Sequence, residues 1–118
     1  METCQTLLIL TKLPDQASAH QLATELVTQR LAACVSIGAP CLSVYRWQGE
    51  IEQAQEVGLQ IKTTTTRYAA LEAAIRARHP YELPEIIAVP IAHGLPEYLA
   101  WVAAETLAEH PDGKSETC

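Results

Sequence analysis

Two runs of alternating apolar and polar residues, which together fill positions 33–65, constrain the fold more than any other feature of the sequence. The runs meet at Gln48 and Gly49, a dipeptide suited to a tight turn, and a Gly-Ala-Pro triplet at positions 38–40 marks a bend in the first run. Because a period of two is typical of strands, the segment predicts one long β-hairpin. In its second arm, Val57, Leu59 and Ile61 share one side, which indicates a sheet with one buried face.

Helix and strand patterns flank this hairpin on both sides. A buried strand is predicted from Thr6 to Leu13, followed by a helix that begins with a cap at Ser18. After the hairpin, a second helix is expected to stop near His79, because Pro80 disfavours helical backbone in the preceding residue. A short strand in EIIAVPIA and a third helix starting around Pro96 follow. This order predicts the α+β class, with a ferredoxin-like βαββαβ sandwich, an added C-terminal helix and a long central hairpin.

Length and composition predict a single domain. A chain of 118 residues, 48% of them apolar and none of them Phe, is large enough for one core built from Leu, Ile, Val and Ala. We expect an N-terminal tail at 1–5, a folded domain at 6–107 and a disordered C-terminal tail at 108–118. A net charge of -6 with only eight Lys and Arg argues against a nucleic-acid partner. The sequence contains neither a signal peptide nor an 18-residue apolar span, so no membrane partner and a cytoplasmic location are expected.

The stretch ARHPYELPE, residues 77–85, concentrates chemically versatile side chains between two prolines. It contains His79, Tyr81, Glu82 and Glu85. A helix that stops before a proline and continues into a loop with solvated carboxylates explains this composition without any ligand. Imidazole and carboxylate oxygen are also a competent ligand set for Cu(II), Ni(II) or Zn(II) when the histidine is neutral. Structural and metal-binding interpretations both remain open at this point.

Five blocks of the sequence form an ordered set: RLAACVSI (30–37), SVYRWQGEIE (43–52), LQIKT (59–63), HPYELPEIIAVPI (79–91) and HGLPEYLAW (93–101). Together they resemble the CutA family of divalent-cation tolerance proteins. The resemblance covers positions 6–107 and implies a ferredoxin-like subunit of a threefold homotrimer, with an architecture like that of the PII signalling proteins. It further implies a role in tolerance of copper and other divalent ions, without enzymatic activity.

The same resemblance implies a ligand cleft between subunits. The residues that it places there are polar or aromatic: Tyr45, Trp47, Lys62, His79, Tyr81, Glu82 and Glu85. His79 is the candidate metal ligand of this set and Cys34 is a second candidate, with Cu(II) as the favoured divalent cation and no organic cofactor. Copper-binding members of the family are expected to carry a thiol and a further histidine where this chain has Thr11 and Arg78. This difference leaves His79 as the one inherited ligand of that kind.

Three functions are compatible with these observations. The first is the metal binder just described, and the second is a PII-like sensor of an anionic metabolite, for which Lys62, Arg46 and Arg67 would matter more than His79. The third is a trimeric scaffold that presents three copies of one protein-binding surface. An enzyme is not expected, because the sequence has no Gly-rich phosphate loop, GxSxG elbow or HExxH helix.

Overall fold

The structure, a computed structural model, describes residues 4–107, which form a four-stranded antiparallel sheet and three helices. The elements are β1 (Thr6–Leu13), α1 (Gln16–Thr28), β2 (Cys34–Trp47), β3 (Glu50–Thr64), α2 (Tyr68–Arg78), β4 (Ile87–Pro90) and α3 (Pro96–Glu105). The strand order β2-β3-β1-β4 inserts β3 between β1 and β2, which is the split arrangement of a ferredoxin-like sandwich. The predicted fold class is confirmed. The tail predicted at 108–118 lies outside the described residues.

Helix α1 begins earlier than the sequence pattern predicted. Asp15, in extended conformation, is the N-cap, and its carboxylate accepts a hydrogen bond from the Ser18 backbone N–H at 2.7 Å. This bond also holds the pKa of Asp15 below its usual value. Ser18 is therefore the third residue of the helix, and the prediction that it caps the helix is wrong. An aspartate directly after Pro14 offers a stronger acceptor to the same unpaired N–H groups.

The core lies between one face of the sheet and helices α1 and α2. Ile9 of β1 and Ile61 of β3 are cross-strand partners at its centre, and both are fully buried. The principal aliphatic members from the four contributing elements are Leu7, Ile9, Leu13, Leu22, Leu26, Val57, Leu59, Ile61, Leu71 and Ile75. Between residues 57 and 63, strand β3 buries its odd-numbered residues, as the alternation of Val57, Leu59 and Ile61 predicted.

Strands β2 and β3 extend beyond the rest of the sheet. Strand β1 pairs with β3 only along 57–64, so residues 50–56 of β3 pair with β2 alone. We call residues 40–56, with the turn at Gln48 and Gly49, the arm. Both turn residues have positive φ, 51° and 84°, which a two-residue hairpin turn requires. A register shift between Ile37 and Pro40 marks the base of the arm, where the sequence predicted a bend.

The arm makes the subunit more extended than an ordinary domain. The Cα radius of gyration is 15.5 Å, whereas a compact domain of this length has about 13 Å. Leu42 and Ile51 lie on the same face of the arm and are 66% and 62% exposed. A hairpin with exposed aliphatic residues and unpaired edges is a surface that proteins commonly cover with another chain.

Candidate functional site

A cleft of about 710 Å³ lies between the arm and the loop that follows α2. Its lining from the arm is Ser43, Val44, Tyr45, Arg46, Trp47, Ala54 and Glu56; Lys12 comes from β1, and the loop provides Pro80, Tyr81, Glu82, Leu83 and Glu85. Five residues expected at the cleft, Tyr45, Trp47, Tyr81, Glu82 and Glu85, are thus brought together within one chain. His79 and Lys62, which were also expected at the cleft, are not among its lining residues.

Glu56 is the cleft residue that the sequence reasoning missed. It is only 8% exposed, and its carboxylate accepts a hydrogen bond from the Tyr81 hydroxyl. Burial of the ring and then this contact raise the pKa of Tyr81 to about 12. The phenol therefore stays protonated at neutral pH and remains a donor to Glu56. Strand alternation contained the necessary signal, because the register Tyr45↔Glu52 places residues 52, 54 and 56 on the face that carries Tyr45.

The raised pKa of Tyr81 predicts a late step in an alkaline titration. We expect phenolate absorbance of the folded protein to show one of its four tyrosines ionising near pH 12, and Tyr81→Phe to remove that step. Since the folded pKa lies above the ordinary value of 10, this group's stabilising contribution is present below pH 10 and is lost as pH rises from 10 to 12. A titration in which Tyr81→Phe leaves the last step in place would contradict the raised pKa of Tyr81.

His79 is buried at the end of α2 with both ring nitrogens engaged. Its Nε2 lies 2.7 Å from the backbone carbonyl oxygen of Lys12, which can only accept, so Nε2 carries the proton. Its Nδ1 accepts the Tyr81 backbone N–H at 3.2 Å. The imidazole therefore binds the β1 backbone at Lys12, beyond Leu10, where the pairing of β1 with β4 stops. Its bond to Tyr81 also orients the start of the cleft loop. In this geometry neither nitrogen has a free lone pair to offer a metal ion.

Cys34 and Lys62 lie together beneath α3, on the sheet face opposite the core with α1 and α2. The Cys34 Sγ is 3.5 Å from the Tyr98 hydroxyl and 3.9 Å from Lys62 Nζ, which itself lies 5.9 Å from the centre of the Tyr98 ring. Register places Cys34 and Lys62 level with Leu8 of β1. His79 contacts β1 four residues further on, about 13 Å along the strand. The two candidate metal ligands are not brought together.

The donors do not form a prearranged metal site. Within residues 4–107, no group of three or more His, Cys, Asp or Glu side chains is placed to hold a metal ion. Thr11 is a buried core residue of β1, 1% exposed, and Arg78 forms an ion pair with Glu25 of α1. Neither residue lines the cleft. At the two positions where copper ligands were expected, this chain therefore has a buried strand residue and an ion-paired arginine.

Comparison with known proteins shows close relatives over nearly the whole described chain. The family model "CutA1 divalent ion tolerance protein" matches residues 7–105. The chain is 46% identical over 98 residues to the divalent-cation tolerance protein CutA of Thermus thermophilus, covering 83% of this chain and 95% of that protein. The Escherichia coli K12 protein of the same name is 36% identical over 99 residues, covering 84% and 88%.

Solved structures give the same result. A structure of the divalent cation tolerance protein Cut A1 from Thermus thermophilus has a TM-score of 0.84 at 44% identity, covering 86% of this chain and 98% of that one. The structure of the periplasmic divalent cation tolerance protein CutA from Archaeoglobus fulgidus has a TM-score of 0.83 at 35% identity, with the same coverage. None of the helices within residues 4–107 is long and apolar enough to cross a membrane.

Proposed function

Because the chain belongs to the CutA1 family of divalent ion tolerance proteins, we propose that it acts in divalent-cation tolerance as a non-enzymatic homotrimer whose clefts bind a small ligand. The arm carries this proposal. It exposes Leu42 and Ile51 and leaves the outer edge of β2 and the 50–56 edge of β3 without strand partners among the described residues. Closed threefold association would bury three copies of this surface and cover the open edges of the arm.

The proposed ligand site is the cleft, and direct metal ligation by His79 is the less favoured alternative. The imidazole would have to give up its bond to Lys12 or Tyr81 before it could bind Cu(II). Cys34 and His79 lie at different places on the sheet, which also argues against a nucleophile and base pair. This separation supports a binding function rather than catalysis.

An anionic metabolite is disfavoured by the placement of the basic residues. Of Lys62, Arg46 and Arg67, only Arg46 lines the cleft. Lys62 faces Cys34 and Tyr98, and Arg67 Nε donates to the Arg30 carbonyl at 3.4 Å. Within the described chain, the two cations that line the cleft, Lys12 and Arg46, are outnumbered by the carboxylates of Glu56, Glu82 and Glu85, which disfavours a phosphate or carboxylate ligand.

Assembly and metal binding are measured together on the tag-free protein. Native mass spectrometry is expected to give three times the 12.9 kDa chain mass. Calorimetric titration with Cu(II) and Zn(II) is then run on the same sample, with His79→Ala alongside. A monomer at micromolar concentration would overturn the proposed assembly, and saturable binding of one ion per chain that His79→Ala abolishes would replace the cleft with a metal site.

The cytoplasm is the proposed compartment. The proposal derives from the sequence, whereas the Archaeoglobus fulgidus relative is named periplasmic. Cell fractionation with an antibody against the native protein distinguishes the two compartments.

A further inference from the structure

The most deeply buried charged residue of the cleft is an acid that is incompletely paired. Glu56 is 8% exposed over the whole residue, and its carboxylate receives the Tyr81 hydroxyl. A carboxylate has about four acceptor sites, so this donor leaves most of its capacity unused. Neither of the two ion pairs found among residues 4–107 involves Glu56. A carboxylate in this condition is stabilised by an incoming cation, and their attraction grows as the ligand displaces water from the cleft.

Aromatic side chains are concentrated in the cleft that contains Glu56. The chain has two Trp, four Tyr and no Phe, and three of these six rings, Tyr45, Trp47 and Tyr81, line the cleft. Tyr45 is 43% exposed, so a ligand can reach its ring. Aromatic faces attract cations, with larger effects at desolvated sites, and they also cover the apolar groups of an organic ammonium ion.

The remaining charges of the cleft balance one another. Glu82 and Glu85 add two further carboxylates, while Lys12 and Arg46 add two cations. Arg46 and both loop glutamates are exposed, and exposed charges are screened by water and salt. The balance is therefore decided by Glu56. A bare divalent ion fits less well, since the carboxylates are not grouped as metal ligands in the described chain.

We propose that the cleft binds an organic ammonium ion, with its charged nitrogen at Glu56 and its apolar substituents against Tyr45, Trp47 and Tyr81. A volume of about 710 Å³ lies within the range of small-molecule sites. This inference rests on the proposed function in that it takes the cleft as the ligand site and names the class of the ligand. The binding groups all belong to one chain, so the ligand class is testable independently of assembly.

Choline is the probe, and 3,3-dimethylbutan-1-ol, its uncharged isostere, is the matched control. Binding is followed by chemical-shift changes of the Glu56 and Tyr81 amide signals in NMR titrations of the full chain. We expect saturable choline binding and at least about tenfold weaker binding of the alcohol. Equal binding of the two, or shifts with neither, would overturn the proposal. Shifts induced only by inorganic phosphate would overturn it in favour of an anion site.

Glu56→Gln removes the charge while keeping an acceptor for Tyr81. It is expected to weaken choline binding at least about tenfold and to leave binding of the alcohol unchanged. Glu52→Gln, at an exposed position on the same strand and face, is the control and is expected to have no such effect. Undiminished choline binding in folded Glu56→Gln would contradict the assignment. Oligomer mass is recorded for each variant, so that failure of the trimer and failure of ammonium binding are separate results.

Discussion

His79→Ala is expected to lower the free energy of unfolding by about 2–4 kcal/mol. The substitution removes a buried ring that accepts the Tyr81 N–H and donates to the Lys12 carbonyl, at 3.2 and 2.7 Å. It also removes the contact between the His79 and Tyr81 rings, whose centres are 4.8 Å apart. Unpaired backbone groups and a cavity then add to the lost contacts. Urea denaturation at fixed protein concentration measures the change, because the stability of an oligomer depends on concentration.

His93→Ala is the matched control, since His93 is exposed and its removal should change stability by less than about 0.5 kcal/mol. Cu(II) uptake by the folded fraction of His79→Ala is expected to equal that of the parent chain. If His79→Ala is as stable as His93→Ala but has lost Cu(II) uptake, the opposite assignment holds. His79 would then be a metal ligand, and its two hydrogen bonds would have little energetic weight.

The arrangement of elements was predictable because local patterns determine it. A period of two along residues 33–65 predicted the hairpin, and Pro80 predicted the end of α2 after Arg78. The cap of α1 was not predicted correctly, since Asp15 and Ser18 both have side chains suited to that role. Only the backbone conformation distinguishes them, and Asp15 is the residue in extended conformation.

The site was predictable in part. Alternation places Tyr45 and Trp47 on one face of the arm, but the sequence does not show that the loop with Tyr81 packs against that face. Lys62 illustrates the limit of such reasoning. It has the same strand parity as Glu56, yet it lies six residues further along β3, about 20 Å away. The length of the strand, rather than its alternation, removes Lys62 from the cleft.

The two faces of the arm have different chemistry, and this difference connects assembly with ligand binding. Leu42 and Ile51 lie on one face, whereas Tyr45, Trp47 and Glu56 lie on the other and line the cleft. Because successive residues of a strand point to opposite faces, the hairpin can carry an association surface and a ligand site at once. A contact that fixes the arm against a neighbouring subunit would also fix the arm wall of the cleft.

Leu42→Asp is expected to convert the trimer into single chains, with an approximately threefold fall in mass. In the isolated subunit Leu42 is 66% exposed, so a carboxylate there should change the chain's own stability by less than about 0.5 kcal/mol. In the proposed trimer the same carboxylate would be buried without a partner in three copies, each with a desolvation cost of several kcal/mol. Ala73→Asp, at an exposed position of α2, is the control and should keep the trimer. Native mass spectrometry and analytical ultracentrifugation measure the mass, and a Leu42→Asp protein that stays trimeric would show that the arm face carrying Leu42 is not the association surface.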